Sequence, residues 1–412
     1  MKILFIEFNI QDSNFPLGFK YIKKYTTQFH KDLDITIKQF SYGKRFSYEV
    51  NANLELKVLA FISKLKPDIV AFSSYIWSSN IIDNIIRGIK LSLPDISILV
   101  GGVEINYDNS EFAADYLIQG EGELAFKRFI DYKKGNLSIE EVPSLIYKKN
   151  GKLVKNKVQI IENLDELPFP YDGKGYYPSI KIESTRGCIF NCNYCYYAQR
   201  KVRSFSMRYM KKAINKLFNN YTFDNLTFLD ANFNVKEERM FQLLDIVQKY
   251  ANKELKIHLE FKPELLNEAS IKKLSQYNFH IFLEMGLQSS DKEVLKECNR
   301  PYDINKIRNN LNLLNISKIS YNIDLMYGLP KDNFMKFINS AKFIINNATK
   351  QNNLRAHHFM LLNGTTFYNN NKIIRFDKNN SSMVIKTPSQ DVYELYKTKL
   401  FIDTINKELK NY

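Results

Sequence analysis

Three of the chain's four cysteines, Cys188, Cys192 and Cys195, lie within eight residues, with the spacing C-x-x-x-C-x-x-C. Such a tight group does not resemble a disulfide framework, and in a reducing compartment it is typical of metal binding. A structural zinc site normally uses four ligands in two pairs, and the chain has no second C-x-x-C and no H-x-x-x-H. Three thiolates can instead hold an iron–sulfur cluster that leaves one iron open to a further ligand.

The other residues with metal or nucleophilic chemistry are dispersed. Cys298 lies alone on a predicted helix. We interpret it as a semi-buried side chain, with a role in substrate handling as the alternative. His357 and His358 are adjacent on a predicted strand, where successive side chains point to opposite faces. Only one of these two imidazoles can therefore face a ligand.

The length and composition predict a folded protein of two domains. The chain has 412 residues, of which 44% are hydrophobic and 14% aromatic. Its first ten residues are mostly apolar and polar ones follow, which matches neither a secretory signal nor an organellar presequence. No apolar run approaches the roughly 20 residues that cross a bilayer. We expect a cytoplasmic protein without a membrane partner.

The net charge of +15 raises the question of a nucleic-acid partner. The lysines are scattered, however, and often stand beside asparagine, as in KKNGKLVKNK. Scattered charge is typical of a solvated surface, so the sequence does not favour nucleic-acid binding. An acidic small molecule or peptide remains open as a partner.

The first 140 residues alternate apolar, β-rich runs with helix-like segments. The runs KILFIEF, DITIKQF, IVAFSS, ISILVGG and YLIQG predict buried strands. Between two of them, Leu54, Val58, Phe61, Ile62 and Leu65 form a helical stripe. This alternation predicts a parallel, doubly wound (Rossmann-like) α/β domain over residues 1–140, with ligands at the carboxyl ends of the strands.

A change of pattern predicts a domain boundary after residue 140. Asn150-Gly151 joins two strand-like runs as a hairpin, and the proline-punctuated LDELPFPYD follows, so residues 141–175 are predicted as hairpin and linker. Residues 176–375 then repeat six strand–helix units, which predicts a partial (β/α)6 barrel. Residues 376–412 are predicted to form a closing helical segment.

The run RGCIFNCNYC resembles the signature of the radical S-adenosylmethionine (radical SAM) enzymes. The resemblance implies that Cys188, Cys192 and Cys195 hold a four-iron four-sulfur (4Fe-4S) cluster. It also implies that SAM chelates the fourth iron through its amino and carboxylate groups. The stretches NFHIFLEMGLQSSDKEVLKECNR and MYGLPKDN are similar to the fourth-strand and fifth-strand regions of the same enzymes.

The resemblance also implies a set of SAM contacts. Tyr194 stands where the family places an aromatic side chain beside the adenine. FLDANFN, which also holds Asn234, ends the second strand where the family often has a GGEP run, so this sequence departs from the pattern there. The residues implied as SAM-binding are Tyr194, Asp230, Asn232, Glu260, Glu284 and Gln288.

The first domain is similar to that of the cobalamin-binding group of radical SAM enzymes. The matching runs are PLGFKYIKK, PDIVAFSSYIWSS, ILVGGVE and IQGEGE, which follow or span predicted strand ends. Serine hydroxyls and closely approachable glycines there would line one crevice. The residues implied as cobalamin-binding are Ser73, Ser74, Tyr75, Trp77, Ser78, Gly101, Gly102, Val103, Glu104, Gln119, Gly120 and Glu121.

Cobalamin proteins that ligate cobalt through histidine share a D-x-H-x-x-G run, which this domain lacks, since its one histidine is His30 in QFHKDLD. We therefore expect cobalamin without histidine ligation, with Tyr75 and Trp77 as candidates to shield the lower face. The first strand is not followed by G-x-G-x-x-G, so the sequence does not favour NAD. The methylthiotransferase branch is excluded because no cysteine precedes Cys188.

The resemblance implies cobalamin-dependent methylation of an unactivated carbon. In the family, the reduced cluster cleaves SAM to a 5′-deoxyadenosyl radical that abstracts a hydrogen atom, and methylcobalamin supplies the methyl group. A small-molecule or peptide substrate and a reductant such as flavodoxin or ferredoxin are the implied partners. The alternatives are radical cyclisation, rearrangement or epimerisation, with the first domain lacking or repurposing cobalamin, and a non-catalytic iron–sulfur module.

Overall fold

The computed structural model describes residues 1–9, 15–41, 48–105, 113–371, 374–377 and 382–410. The chain forms two compact units, Met1–Gly173 and Lys174–Tyr412. Within the described ranges, no helix is long and apolar enough to cross a membrane.

The first unit alternates strands and helices and then ends in a hairpin. Its elements are β1 (Lys2–Asn9), α1 (Leu17–Phe29), β2 (Asp34–Ser41), α2 (Tyr48–Leu65), β3 (Ile69–Ser73), α3 (Ser79–Ser92), β4 (Ser97–Gly101), β5 (Tyr116–Ile118), α4 (Gly122–Lys133), β6 (Leu145–Lys149) and β7 (Lys152–Lys155). Every strand run predicted from the sequence is present among them.

These strands make one seven-stranded sheet within the described residues, in the order β2-β1-β3-β4-β5-β6-β7. The first five strands are parallel. The order 2-1-3-4-5 is that of flavodoxin-like doubly wound folds, which confirms the predicted class. Continuous burial explains why the central strands are apolar on both faces: Ile3, Leu4, Phe5 and Ile6 are all fully buried.

The hairpin formed by β6 and β7 belongs to the sheet of the first unit. Asn150 and Gly151 connect the two strands, and both have positive φ. β6 pairs antiparallel with β5, as Tyr116 faces Tyr147 in the register. The predicted segment 141–175 therefore begins as an extension of the first sheet, because β5 would otherwise be an open edge.

The second unit repeats the alternation. Its elements are β8 (Gly175–Tyr176), β9 (Ser179–Ile182), β10 (Thr185–Arg186), β11 (Arg203–Ser204), α5 (Met207–Asn220), β12 (Tyr221–Thr222), β13 (Asn225–Phe228), α6 (Glu237–Gln248), β14 (Lys256–Phe261), α7 (Glu268–Leu274), β15 (His280–Gln288), α8 (Lys292–Glu297), α9 (Ile304–Ile316), β16 (Ser320–Tyr327), α10 (Phe334–Asn347), β17 (Arg355–His358), α11 (Thr366–Asn369), β18 (Arg375–Asp377), β19 (Met383–Lys386) and α12 (Val392–Lys410).

Six of these strands form one parallel sheet within the described residues, in the order β9-β13-β14-β15-β16-β17. This is the predicted six-unit partial barrel. Residues in β14, β15 and β16 alternate between buried and more accessible positions. The buried set is apolar, as in Leu259, Leu283 and Ile323, while the other set forms a polar face.

Helices cover the apolar face of this sheet. In α5 the buried residues Met210, Ala213, Ile214 and Leu217 form the stripe expected from the sequence. The carboxyl-terminal segment differs from the predicted helical segment in its first part, because β18 and β19 pair antiparallel before α12 begins at Val392. Val384 of this small sheet is fully buried, which explains why the segment forms strands.

Candidate functional site

The loop that carries three cysteines is closed at its base by two short strands. β10 and β11 pair antiparallel, with Thr185 opposite Ser204. Gly187 begins the loop with φ of +84°, and a Cβ atom there would lie 2.5 Å from the carbonyl oxygen of Lys201. No side chain fits at such a distance. The RGC motif therefore requires glycine at this position, because the returning strand packs directly against the Gly187 backbone.

The end of α8 anchors the top of the same loop. The backbone N–H of Asn193 donates to the carbonyl of Cys298 at 3.0 Å, and the side chain of Asn193 donates to the carbonyl of Glu297 at 2.7 Å. In return, the side chain of Asn299 donates to the carbonyl of Asn191 at 2.8 Å. These bonds hold the cysteine loop against the segment that follows β15.

Each thiol of the trio lies beside an N–H donor. The amide nitrogen of Asn232 is 3.2 Å from Sγ of Cys188, and Nη1 of Arg300 is 3.8 Å from Sγ of Cys192. Burial raises the pKa of Cys195, and the backbone N–H groups of Tyr197 and Ala198 partly offset this effect. Donors placed in this way stabilise a thiolate more than a thiol.

Sequence analysis did not identify Arg300. The residue is only 7% exposed, and its Nη2 donates to the carbonyl of Gly286 at 2.6 Å. Its Nε is buried without a hydrogen-bond partner among the described residues. No sequence pattern signals this role, since Arg300 follows Cys192 by 108 residues.

The donor set of the loop fits an iron–sulfur cluster. Three free thiols surrounded by N–H donors, with one buried guanidinium, suit a group that carries negative charge and bridging sulfides. Among the described residues, no group of three or more His, Cys, Asp or Glu is disposed to hold a single metal ion. The fit therefore rests on the chemistry of the donors.

Cys298 does not belong to this set. It is 1% exposed and packs in an apolar cluster with Val294, Leu329 and Phe359. Burial raises the pKa of its thiol, as do nearby anionic groups. This is the environment of a buried, protonated side chain. Tyr194 of the cysteine loop packs against the same cluster, and burial raises the pKa of Tyr194 well above its usual value.

The FLDANFN loop after β13 divides its three polar residues between two tasks. Asp230 is 3% exposed, and its two carboxylate oxygens accept from the backbone N–H and the hydroxyl of Ser184 at 2.7 and 2.5 Å. Asn234 exchanges two hydrogen bonds with the backbone of Lys262. These two residues thus join neighbouring strand ends, whereas Asn232 faces Cys188.

The polar face of the six-stranded sheet carries a group of ionisable side chains. Glu284 of β15 contacts the guanidinium of Arg355 of β17, and Nε of Arg355 lies 2.8 Å from Oδ1 of Asp324 of β16. Burial raises the pKa of Asp324, but contacts with His357, Glu284 and Arg355 outweigh burial and hold this pKa below its usual value. Sequence analysis singled out Glu284 but not the other two members of the group.

Glu260 shares this face but has no cation in contact with it among the described residues. Its side chain is open to solvent, yet the surrounding protein removes much of its hydration. That desolvation, together with the neighbouring carboxylate of Glu284, raises the pKa of Glu260 to about 7. Glu260 and Glu284 are opposite one another in the register of β14 and β15.

Three histidines of the second unit lie on the faces of the six-stranded sheet that the alternation of side chains along a strand requires. Nε2 of His258 lies 3.4 Å from Glu284, and Nε2 of His357 lies 3.6 Å from Asp324, so both imidazoles are on the polar face. His358 instead stacks on Tyr327, with ring centroids 4.6 Å apart. The prediction that only one of the adjacent pair faces the interior is confirmed.

Gln288 ends β15 in an unusual backbone conformation. Its φ is +69°, and the pairing of β15 with β16 shifts register between Gly286 and Gln288. A Cβ on Gly286 would lie 2.2 Å from Nε2 of Gln288, so the side chain folds back over the glycine. This bulge also exposes the Gly286 carbonyl that accepts from Arg300.

In the first unit, the predicted cobalamin residues lie on three adjacent loops. These follow β3, β4 and β5, which are neighbours in the sheet. The backbone of Ser74 donates to the Gly101 carbonyl at 2.7 Å. At Gly102, with φ of +105°, a Cβ would lie 2.4 Å from the Ser74 carbonyl oxygen. Gly102 is therefore required by the close approach of the Ser74 backbone, whereas the sequence analysis expected this glycine to make room for a ligand.

Polar side chains on these loops differ in whether a hydrogen-bond partner within the protein already occupies them. The hydroxyl of Ser78 accepts from the backbone N–H of Tyr75 at 3.1 Å, so it serves the local turn. The hydroxyl of Ser74 and Oε1 of Gln119 are buried without a hydrogen-bond partner among the described residues. Burial raises the pKa of Glu104 to about 7. Val103, Gly120 and Glu121 lie on the loops as predicted.

Aromatic and imidazole groups occupy separate places in this unit. Tyr75 and Trp77 stack with centroids 4.6 Å apart and an interplanar angle of 4°. His30 caps the carboxyl end of α1, and its Nε2 lies 2.9 Å from Asp131 of α4. Because α1 returns to the edge where β2 begins, this imidazole lies away from the loops after β3, β4 and β5.

Two family profiles match the chain. The one described as the Radical SAM superfamily matches residues 182–344, and the one described as the B12 binding domain matches residues 8–130. An uncharacterized methyltransferase of Pyrococcus horikoshii, PH0819, is 25% identical over an alignment of 263 residues, gaps included, that covers 58% of this chain and 55% of that protein. The chain thus spans about half the length of this relative.

Two solved structures share the fold. The first is the cobalamin-dependent S-adenosylmethionine radical enzyme OxsB with aqua-cobalamin and S-adenosylmethionine bound, with a TM-score of 0.73 and 12% identity over 98% of this chain and 66% of that one. The second is the radical S-adenosylmethionine methyltransferase TsrM from Kitasatospora setae with cobalamin and a 4Fe-4S cluster bound, with a TM-score of 0.68 and 13% identity over 89% of this chain and 73% of that one. The chain therefore carries a radical SAM domain over residues 182–344, preceded by a B12-binding domain over residues 8–130.

Proposed function

We propose that this protein is a cobalamin-dependent radical SAM methyltransferase that methylates an unactivated carbon of a small molecule or peptide. The observation that carries the proposal is the presence of both profiles, B12 binding and radical SAM, on one chain whose cysteine loop surrounds three thiols with N–H donors. When bound, the cluster supplies the electron that cleaves SAM, and methylcobalamin supplies the methyl group.

The three cysteines are the ligands in this proposal. The cluster is held by Cys188, Cys192 and Cys195. The pairing of β10 with β11 and the asparagine hydrogen bonds at the end of α8 fix the loop that carries them. A fixed loop matters because metal-ligand geometry depends on the shell that orients the ligands.

SAM is placed by residues at the carboxyl ends of the barrel strands. Tyr194 presents its ring beside the cluster loop for the adenine, and Glu260, Glu284 and Gln288 supply oxygen and amide groups from β14 and β15. An ammonium group is matched well by Glu260, whose carboxylate has no cation of its own among the described residues. Asp230 contributes by fixing strand ends, because Ser184 already uses both of its oxygens.

Cobalamin is held by the loops after β3, β4 and β5 of the first unit. At Gly101 a Cβ would meet only the Ile118 carbonyl oxygen, at 3.9 Å, so the backbone there has room for a flat ligand, and the buried Ser74 hydroxyl and Gln119 amide offer polar groups. His30 is engaged by Asp131 away from these loops, which supports cobalamin without histidine ligation. A one-electron protein donor such as flavodoxin or ferredoxin completes the proposal.

The test is a labelling experiment under strict anoxia. The reconstituted, reduced protein is incubated with methyl-labelled SAM, cobalamin and an extract of small molecules from cells. We expect formation of 5′-deoxyadenosine and transfer of the label to a product. The absence of 5′-deoxyadenosine would overturn the radical SAM assignment. Formation of 5′-deoxyadenosine without transfer of the label would support the radical step but refute methylation. That result would favour cyclisation, rearrangement or epimerisation.

A further inference from the structure

The guanidinium of Arg300 is a buried cation without a carboxylate in contact. The side chain is 7% exposed, and no acidic group lies within ion-pair distance of it among the described residues. Glu264, whose carboxylate influences the pKa of Arg300, is paired with Lys262 at 2.8 Å. Arginine cannot relieve this situation by losing its proton, since its pKa is above 12.

A buried charge needs an opposite charge nearby. Removal of an ion from water is unfavourable even after relaxation, and a neutral carbonyl such as that of Gly286 offsets only part of this cost. The other group that Arg300 contacts is Sγ of Cys192, at 3.8 Å. A thiolate that ligates iron supplies the missing negative charge.

The three thiols differ in the kind of donor beside them. Cys188 faces the neutral amide of Asn232, and Cys195 is approached by backbone N–H groups. Only Cys192 faces a full positive charge. It is also the buried member of the trio, at 6% exposure, so the charge is weakly screened there.

The geometry points to Arg300 as the residue that sets the reduction potential of the cluster, through its charge and its N–H···S contact at Cys192. One-electron reduction adds a negative charge to the cluster, and a fixed cation stabilises the reduced state more than the oxidised one. Hydrogen bonds to sulfur and nearby charge are the established means by which a protein raises such potentials. This inference rests on the proposed function, because it requires the cluster.

The test compares cluster potentials in variants at this position. Arg300→Met and Arg300→Gln remove the charge, Arg300→Lys keeps it, and Arg308→Met removes an exposed cation on α9 as the matched control. Each protein is reconstituted without oxygen, assayed for iron and sulfide, and titrated with a chemical reductant while the electron paramagnetic resonance signal of the reduced cluster is recorded. No turnover is needed for this measurement.

We expect native iron content in all four variants. At the native midpoint potential, the ratio of reduced to oxidised cluster should fall at least tenfold in Arg300→Met and Arg300→Gln. For a one-electron couple this is a shift of about 59 mV to lower potential. Arg300→Lys should stay within about threefold of the native ratio, and Arg308→Met should not change it.

Native midpoints in both neutral variants would overturn the inference. Loss of the cluster from both, with unchanged unfolding, would overturn it too, because Arg300 would then hold the loop rather than set the potential. A native chain that binds no 4Fe-4S cluster would instead refute the proposed function, so the two failures are distinguishable.

Discussion

The Nε atom of Arg355 lies 2.8 Å from Oδ1 of Asp324. The same guanidinium contacts Glu284, so one cation on β17 neutralises carboxylates on β16 and β15. These side chains lie on the polar face of the six-stranded sheet and are only partly exposed. Loss of the cation would leave two carboxylates together in a partly dehydrated place.

We expect Arg355→Met to lower the free energy of unfolding by about 2 kcal/mol at neutral pH, and Arg355→Lys to restore most of it. The contacts of Asp324 hold its pKa below the usual value, so their stabilisation is present above that value and is lost as the pH falls through the folded-state pKa. The difference in unfolding free energy between native and variant should therefore be constant from about pH 7 to about pH 5 and shrink only below about pH 4 in urea unfolding. An equal difference at about pH 7 and about pH 3 would contradict this account.

The cysteine trio can be tested against the chain's own fourth cysteine. Cys192→Ala removes one proposed ligand, and we expect it to lose most of the iron bound after anaerobic reconstitution. Cys298→Ala removes an equally buried thiol outside the loop, and it should keep the native iron content. Its cost should be limited to about 1 kcal/mol of unfolding free energy. Iron and sulfide analysis of the two variants measures this difference. Full iron content in Cys192→Ala would refute the ligand assignment.

Gly187 provides a test of the loop's geometry. A Cβ there meets the carbonyls of Lys201 and Arg200 at 2.5 and 2.7 Å. Gly135 has a similar φ of +78° but no atom within 4 Å of a Cβ. We expect Gly187→Ala to cost about 3 kcal/mol and to abolish iron binding, and Gly135→Ala to cost about 1 kcal/mol. Similar losses in the two variants would show that backbone strain alone, not the close approach, matters.

Asp230 should make the stability of the metal-free protein depend on pH. Burial raises the pKa of its carboxyl to about 6, although bonds from Ser184 oppose this. The folded state then holds the proton more tightly than the unfolded state. The contribution of Asp230 to the free energy of unfolding therefore falls as the pH rises from about 4 to about 6. A shift of about two units corresponds to about 3 kcal/mol.

We expect Asp230→Asn to remove this pH dependence, so that the variant gains stability relative to the native chain between pH 4 and pH 6. Urea unfolding midpoints at several pH values measure the difference. The same substitution at exposed Asp224 serves as the control. A native-minus-variant difference that does not change with pH would refute the raised pKa.

Trp77 is the chain's single tryptophan, and it stacks on Tyr75 in the loop after β3. A corrin bound at this loop would lie close enough to quench indole emission. We expect saturable quenching when hydroxocobalamin is added to the anaerobic protein, with free N-acetyltryptophanamide as the control for light absorption. Quenching that is linear and equal to that of the free indole would contradict cobalamin binding at these loops.

The sequence by itself determined the cysteine trio, the order of strands and helices and the class of both units. These depend on local spacing: three thiols on one short loop, apolar runs of strand length, and helical stripes such as that of α5. The hairpin at Asn150-Gly151 and the opposite orientations of His357 and His358 were predictable for the same reason. The strand pairing before α12 was missed because the apolar run around Val384 is short.

Tertiary structure decided which distant residues meet. Arg300 reaches Cys192 across 108 residues, and Arg355 reaches Glu284 across 71. Such pairs depend on strand order, register and the bulge at Gly286, none of which is encoded by spacing near either partner. The same reason explains Asp230, whose type suggested a ligand contact but whose carboxylate is used by Ser184 of the neighbouring strand end. Local sequence pattern determines which side chains lie at the strand ends, and the packing of the sheet determines which charged groups contact them.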